Sequence, residues 1–93
     1  MRVIGRKVLE DFGKKHSQAK RPLETWYAVT KDAAWASLVE VRKVYPHTDY
    51  VNGWTVFDVS GNKYRLIALI NYRAQVITLN SILTHAEYTK RKL

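Results

Sequence analysis

Hydrophobic and polar residues alternate along three successive runs between residues 54 and 84. Ser60-Gly61-Asn62 separates the first run from the second, and Arg73-Ala74 separates the second from the third. Runs of β-branched and aromatic residues divided by short turns predict a meander of two hairpins. We expect the middle strand to lie at the centre of the sheet.

Apolar residues in the first half of the chain recur at helical spacing instead. Residues 1–4 predict an edge strand, and Gly5 ends it before a first helix that begins at Arg6. The apolar stripe of that helix is expected at Val8, Leu9 and Phe12.

Two more helices are predicted before the strands. Residues 17–21 are polar and indicate a connection, after which Pro22 suits the first position of a second helix. Asp32 predicts the N-cap of a third helix that ends before Pro46, and residues 47–49 predict a loop. The three tryptophans are expected in the core rather than as platforms for stacked bases, because they accompany apolar stripes.

The order of strand, helices and then strands predicts an α+β domain, with helices packed on one face of an antiparallel sheet. The 93 residues suit one such domain over 1–93, with no repeat or linker to divide it. There is no cysteine to form a disulfide or a thiolate metal site. No apolar run approaches the roughly 18 residues of a membrane span. We therefore expect a cytoplasmic protein without a membrane partner.

The charge of the chain indicates the chemistry of its partner. Sixteen lysines and arginines against eight carboxylates give a formal net charge of +8. Such an excess of positive charge on a small domain indicates a polyanionic partner. The candidates are a nucleic acid, the ribosome, an acidic protein and an anionic membrane. Nucleic acid is the first choice, and a charge that serves solubility alone is the alternative.

Counting outward from two-residue loops at Gly61-Asn62 and Arg73-Ala74 predicts the partners of each strand residue. These pairs are Asp58 with Arg65, Val56 with Ile67, Ile67 with Asn80 and Leu69 with Thr78. The core face then carries Val59, Phe57, Leu66, Ala68, Ile70, Ile77, Leu79 and Leu83. A slip of one residue would exchange the two faces, so the assignment depends on the loop lengths.

The opposite face of the predicted sheet is polar and cationic. It carries Asp58, Arg65, Asn71, Arg73, Thr78 and Asn80 around a floor of Val56, Ile67, Leu69 and Val76. Arginine offers a fork of donors that matches phosphate oxygens, so this face suits a phosphate backbone. Alternatively, Asp58 and Arg65 merely pair across the strands and the face is solvated. Both interpretations stay open.

The segment after the third strand combines a structural motif with reactive side chains. Thr84 and Glu87 have the spacing of a capping box, which predicts a helix start. Capping does not require His85, Tyr88 or the basic residues 90–92. A histidine and a tyrosine at the rim of an arginine-bearing sheet suit acid–base work on RNA.

The sequence offers little support for metal chemistry. The eight carboxylates are scattered, without HExxH-type spacing, and no glycine-rich phosphate loop or GxSxG elbow is present. We expect neither a metal nor another cofactor. Metal-free RNA cleavage is feasible, because the ribose 2′-hydroxyl supplies the nucleophile. The protein then needs only to position the strand, move protons and stabilise the phosphorane.

Several segments together carry a family resemblance: VSGNKYRLIALINYRAQ, ILTHAEY, RVIGRKVLEDF and VRKVYP. They resemble the HigB family of type II toxin–antitoxin modules, whose members are ribosome-dependent mRNA interferases with the RelE-like fold. The resemblance covers nearly the whole chain. It implies a toxin that cleaves messenger RNA in the ribosomal decoding site. A cognate helix-turn-helix antitoxin would hold it inactive and link it indirectly to operator DNA.

On this resemblance, the catalytic candidates are Arg65, His85 and Tyr88. Arg65 would stabilise phosphate, while His85 and Tyr88 would transfer protons or stack on a base. The RNA-binding candidates are Lys63, Asn71, Arg73, Asn80, Lys90 and Arg91. The alternative is a noncatalytic protein that binds RNA, the ribosome or the antitoxin.

The chain departs from the family pattern near the end of the third strand. The family usually has tyrosine near Thr78, arginine at Asn80 and often aspartate at Thr89. The first two replacements remove an aromatic ring and a cation from the expected RNA surface. Loss of a cation that stabilises the transition state typically costs about a hundredfold in rate. We therefore expect weakened or absent activity, whether these residues are natural or modified, in an intact fold.

Overall fold

The computed structural model describes residues 1–91 and 93. The elements in this part of the chain are β1 (Arg2–Ile4), α1 (Arg6–Lys15), α2 (Ser17–Asp32), α3 (Leu38–Val44), β2 (Asp49–Val51), β3 (Trp54–Val59), β4 (Tyr64–Asn71), β5 (Val76–Thr84) and α4 (His85–Lys90). The α+β class is confirmed. Lys92, part of the predicted basic tail, lies outside the described residues.

The sheet has the strand order β1-β5-β4-β3-β2. Strands β3, β4 and β5 form the predicted antiparallel meander with β4 at the centre, and β1 is the predicted edge strand. β1 runs parallel to β5, so the sheet is mixed rather than antiparallel throughout. A parallel neighbour is possible here because three helices separate β1 from the other strands along the chain.

A fifth strand, β2, was not predicted and begins at Asp49, the last residue of the predicted loop. It pairs antiparallel with β3 through Tyr50 and Thr55, and the connecting turn is Asn52-Gly53. Both turn residues have positive φ, 49° and 88°, as a tight two-residue hairpin turn requires. An Asn-Gly pair between strand residues is itself a strong hairpin signal, so β2 was predictable from the sequence.

The boundaries of the second and third helices also differ from the prediction. Residues 17–21 are not a connection but the first turn of α2, and Pro22 lies inside that helix. Ala19 and Leu23, one helical turn apart, are both buried, so packing favours a helix that continues through the proline. Asp32 ends α2 rather than capping the next helix, which begins after Ser37.

The main core lies between α1, α2 and one face of the sheet, around an aromatic cluster. The ring centroid of Phe57 lies 5.2 Å from that of Trp26 and 5.6 Å from that of Tyr45. Trp26 and Trp35 are buried, as predicted, although Trp35 lies in the connection before α3 rather than on a helix. Trp54 is partly exposed in β3.

An irregularity in β5 corrects the predicted register. The pairs Asp58 with Arg65, Val56 with Ile67 and Leu69 with Thr78 are confirmed. Ile67, however, pairs with Ser81, while the next residue, Ala68, pairs with Leu79, so a β-bulge leaves Asn80 as the extra residue.

The bulge also changes which residue of β5 reaches the core. Beyond an extra residue the alternation of side chains reverses, because successive residues of a strand face opposite sides. Ile82, opposite Leu66, is therefore in the core. Leu83, predicted for the core, pairs with Arg65 on the other face and is only partly buried.

Candidate active site

Strand β4 and helix α4 bring the three predicted catalytic residues together. Leu66 lies in the core, so its neighbour Arg65 points from the opposite face of the sheet. His85 and Tyr88 are three residues apart in α4, which places both on one side of that helix. The backbone amide of His85 donates to the carbonyl of Lys63 at 2.9 Å. This bond fixes the start of α4 beside the turn between β3 and β4.

The predicted capping box at the start of α4 is present. The Thr84 hydroxyl accepts from the amide of Glu87 at 3.2 Å, and the Glu87 carboxylate accepts from the amide of Thr84 at 2.9 Å. The hydrogen bond from the Thr84 amide, and after it one from the Thr84 side chain, hold the pKa of the Glu87 carboxyl group below its usual value of 4.5. His85 and Tyr88 take no part in the cap, so their side chains remain free for other contacts.

The Arg65 guanidinium is fixed by contacts on every side. Its Nε lies 3.2 Å from the Asp58 carboxylate, and its Nη2 donates to the side-chain oxygen of Asn62 at 2.6 Å. Nη2 also lies 3.4 Å from Nδ1 of His85, and the guanidinium carbon lies 5.7 Å from the ring centre of Tyr88. Only 9% of Arg65 is exposed. The cross-strand ion pair and the cluster of catalytic candidates are thus one structure.

The contact with Arg65 favours one tautomer of His85. A guanidinium has donors only, so a hydrogen bond between the two groups requires Nδ1 of His85 as the acceptor. The proton of the neutral imidazole is then on Nε2, which faces away from Arg65. His85 is exposed, so this N–H group can donate a hydrogen bond to a substrate oxygen.

Three of the RNA-binding candidates lie near this cluster. Lys63 is exposed in the turn before β4, while Lys90 and Arg91 are exposed at the end of α4. Nη1 of Arg91 donates to the Ser81 hydroxyl at 3.4 Å, and that hydroxyl donates to the side-chain oxygen of Asn80 at 2.9 Å. The Arg91 guanidinium therefore reaches back to the bulge of β5.

Two other candidates lie at the opposite end of β4. Asn71 is six residues beyond Arg65, about 20 Å along an extended strand, and Arg73 follows in the next turn. The side-chain oxygen of Asn71 accepts from the amide of Ala74 at 3.0 Å, which stabilises that turn. The structure does not bring Asn71 or Arg73 into contact with the cluster, and their role in RNA binding stays a prediction.

Thr78 and Asn80, the positions of departure, are both exposed. Thr78 pairs with Leu69, which is 46% exposed, whereas Val56 and Ile67 on the same face are buried. The sheet face opposite the core is therefore buried near Arg65 and exposed to solvent near Thr78.

A cleft of about 460 Å³ opens beside Arg65 and Tyr88. Its other wall is the end of α3 and the turn after it, with Arg42, His47 and Asp49. The sequence prediction assigned no function to these three residues, because it treated them as helix surface and loop. The only signals were the family resemblance of VRKVYP, which contains Arg42, and the polar side chains of His47 and Asp49 just after Pro46.

Residues 1–91 and 93 contain neither a cluster of metal ligands nor a membrane-spanning helix. No three histidine or carboxylate side chains there converge in a way that could hold a metal ion. Nor does that part of the chain include a helix long and apolar enough to cross a membrane.

Comparisons with known proteins agree on one family. The family model for HigB toxins, the RelE-like toxic component of a toxin–antitoxin system, matches residues 19–91. An mRNA interferase HigB of Escherichia coli O6:H1 is 33% identical over 93 residues, which cover 97% of this chain and 90% of that protein. The mRNA interferase toxin HigB of Escherichia coli K12 is 28% identical over 91 residues, covering 95% and 88%. A Shigella flexneri mRNA interferase HigB gives the same values.

Proposed function

The chain belongs to the HigB family of RelE-like toxins of toxin–antitoxin systems, and we propose that it cleaves messenger RNA on the ribosome without a metal ion. The family implies an antitoxin partner. We further propose that this antitoxin has a helix-turn-helix, that it connects the toxin to operator DNA, and that the toxin acts in the cytoplasm.

One observation carries the proposed activity. The Arg65 guanidinium lies 3.4 Å from His85 and 5.7 Å from the ring centre of Tyr88, at the wall of an open cleft. A cation, an imidazole and a phenol at one place are the groups that RNA cleavage by the 2′-hydroxyl requires.

The proposed reaction is an internal transfer at phosphorus. The 2′-hydroxyl loses its proton as its oxygen attacks the adjacent phosphorus, and the bond to the 5′ oxygen breaks as that oxygen gains a proton. Arg65 and the Nε2–H group of His85 stabilise the charge on the phosphorane oxygens. Tyr88 gives its phenolic proton to the departing 5′ oxygen, or stacks on the adjacent base while water protonates that oxygen, and in both cases water accepts the proton of the 2′-hydroxyl.

The departures at Thr78 and Asn80 support weakened activity, since both are exposed and uncharged. Arg91 partly offsets the missing cation, because its guanidinium reaches Ser81 beside Asn80. Activity that is reduced but not abolished is the outcome we propose.

Primer-extension mapping of messenger RNA tests the proposal directly. With translating ribosomes, the protein should produce cuts within reading frames that are absent on free messenger RNA. His85→Ala should lower the cleavage rate at least about 10²-fold, because the substituted protein lacks the Nε2–H donor. Lys7→Ala, which removes an exposed cation of α1 away from the cluster, should leave the rate unchanged. Absence of cuts above background, even after Asn80→Arg and Thr78→Tyr, rejects the proposal.

A noncatalytic function is favoured by one observation. Arg65 is 9% exposed and paired with Asp58, so its charge is partly neutralised before any substrate binds. A protein that only occupies RNA would bind single strands with a salt dependence of about −0.7 in log–log slope per phosphate contact. Salt-sensitive binding without cleavage would therefore favour this second function.

A further inference from the structure

The turn that follows α3, which forms the wall of the cleft opposite Arg65, is held by hydrogen bonds. Thr48 is 2% exposed, and its hydroxyl donates to the carbonyl of Tyr45 at 2.7 Å. Nε of Arg42 donates to the carbonyl of Thr48 at 2.9 Å. These bonds tie the turn to α3, so the wall is preformed and His47, the residue between Pro46 and Thr48, has a fixed position.

The charges in the cleft do not suit a phosphate alone. Arg42 and Arg65 line it, but so do the carboxylates of Asp49 and Asp58. Asp58 is neutralised by its ion pair with Arg65, whereas Asp49 has no ion-pair partner among the described residues. An unpaired carboxylate repels phosphate and accepts hydrogen bonds from amino groups. The Asp49 end of the cleft therefore favours a group with N–H donors.

The remaining lining groups suit a nucleobase. Tyr88 and His47 both line the cleft with flat rings, and the volume of about 460 Å³ is within the range of small-ligand sites. Proteins recognise single-stranded RNA by stacking bases on aromatic rings and bonding to the base edges. Cytosine presents an amino group that can donate a hydrogen bond to an aspartate, whereas uracil presents a carbonyl oxygen at the same position.

We propose that this cleft holds one unpaired nucleobase of the RNA substrate and that Asp49 accepts a hydrogen bond from its exocyclic amino group. The proposal rests on the proposed function, since it names the base-recognition part of the same site. Asp49 is a specificity-determining residue, and Arg42 is a positioning residue that holds the turn. Bases with an amino group bind better than uracil, whose carbonyl oxygen would face the carboxylate.

Binding of oligonucleotides that resist cleavage tests the proposal. Two six-nucleotide probes with 2′-O-methyl groups are compared, oligo-C and oligo-U. At the same position of the base edge, oligo-C carries an amino group and oligo-U carries a carbonyl oxygen. The Kd should favour oligo-C by about 5- to 100-fold, the discrimination that one good base contact gives. Asp49→Asn should reduce this ratio below about threefold, because an amide both donates and accepts. Asp11→Asn, which changes an exposed carboxylate of α1, should leave the ratio intact.

The outcomes separate this proposal from the proposed function. Equal Kd values for the two oligonucleotides, or a preference that survives in Asp49→Asn and Asp49→Ala, would overturn the base site even if messenger RNA is cut. A preference that depends on Asp49, in a protein that cuts no messenger RNA, would leave the base site standing and reject the nuclease. Thermal unfolding checks that the variants are folded, which the exposure of Asp49 favours.

Discussion

At the scale of single residues, the distribution of positive charge around the site is uneven. The charge of Arg65 is offset by Asp58, whose carboxylate lies 3.2 Å from its Nε. Arg91 has no ion-pair partner within the part of the chain that the structure describes, and it is exposed. Because an unpaired guanidinium attracts phosphate more strongly than a neutralised one, we expect Arg91 to contribute more to the proposed RNA binding than its place at the end of α4 suggests.

This distribution makes Arg91 and Asn80 interdependent. Arg91→Ala should lower the cleavage rate about tenfold or more, because it removes the guanidinium that reaches the bulge. Asn80→Arg in the same protein should restore the rate, since it supplies a cation from the bulge itself. Initial rates of cleavage on ribosomes measure both effects. If Arg91→Ala has the wild-type rate, or if Asn80→Arg fails to restore a lowered one, the two positions do not share this role.

Among the secondary-structure elements, the sequence predicted the positions of the meander strands better than the register of β5 or the boundaries of α2. The centre of each of the two predicted hairpins was correct, because apolar alternation around Gly61-Asn62 and Arg73-Ala74 fixes it. The bulge was missed, although Leu79 and Ile82 are apolar residues separated by two polar ones, a spacing that strict alternation does not allow. The continuation of α2 through Pro22 depends on tertiary packing of Ala19 and Leu23, which no local pattern indicates.

Helix α4 should lose its cap in acid. Hydrogen bonds favour the charged form of Glu87, so its pKa lies below the usual 4.5 and the cap contributes stability above that pH. The contribution is lost as the pH falls through the lowered pKa. The NMR shift of the Thr84 amide should titrate with a midpoint below 4.5, and Glu87→Gln should abolish that titration. A midpoint at or above 4.5 contradicts the observed cap.

At the scale of the whole molecule, the cleft joins three parts of the chain that are distant in sequence. Residues 42–49 form one wall, Asp58 and Arg65 the second, and α4 closes the end with Tyr88. Composition and motifs predicted the second and third parts, because a resemblance or a reactive side chain marked them. Part of the first wall lies in VRKVYP, which carries the family resemblance, but no reactive side chain marked it as part of the site, since only the pairing of β2 with β3 brings it opposite Arg65.

We propose that these groups use the 2′-hydroxyl of the RNA and no metal-bound water. The chemistry of the RNA ends produced on ribosomes tests this mechanism. Attack by the 2′-hydroxyl leaves a 2′,3′-cyclic phosphate on one fragment and a 5′-hydroxyl on the other, and water activated by metal ions leaves a 5′-phosphate in most nucleases. We predict 5′-hydroxyl ends that a kinase labels without prior phosphatase treatment, in amounts that fall at least about 10²-fold with His85→Ala. Fragments with 5′-phosphate ends, or a yield that does not depend on His85, would contradict the account.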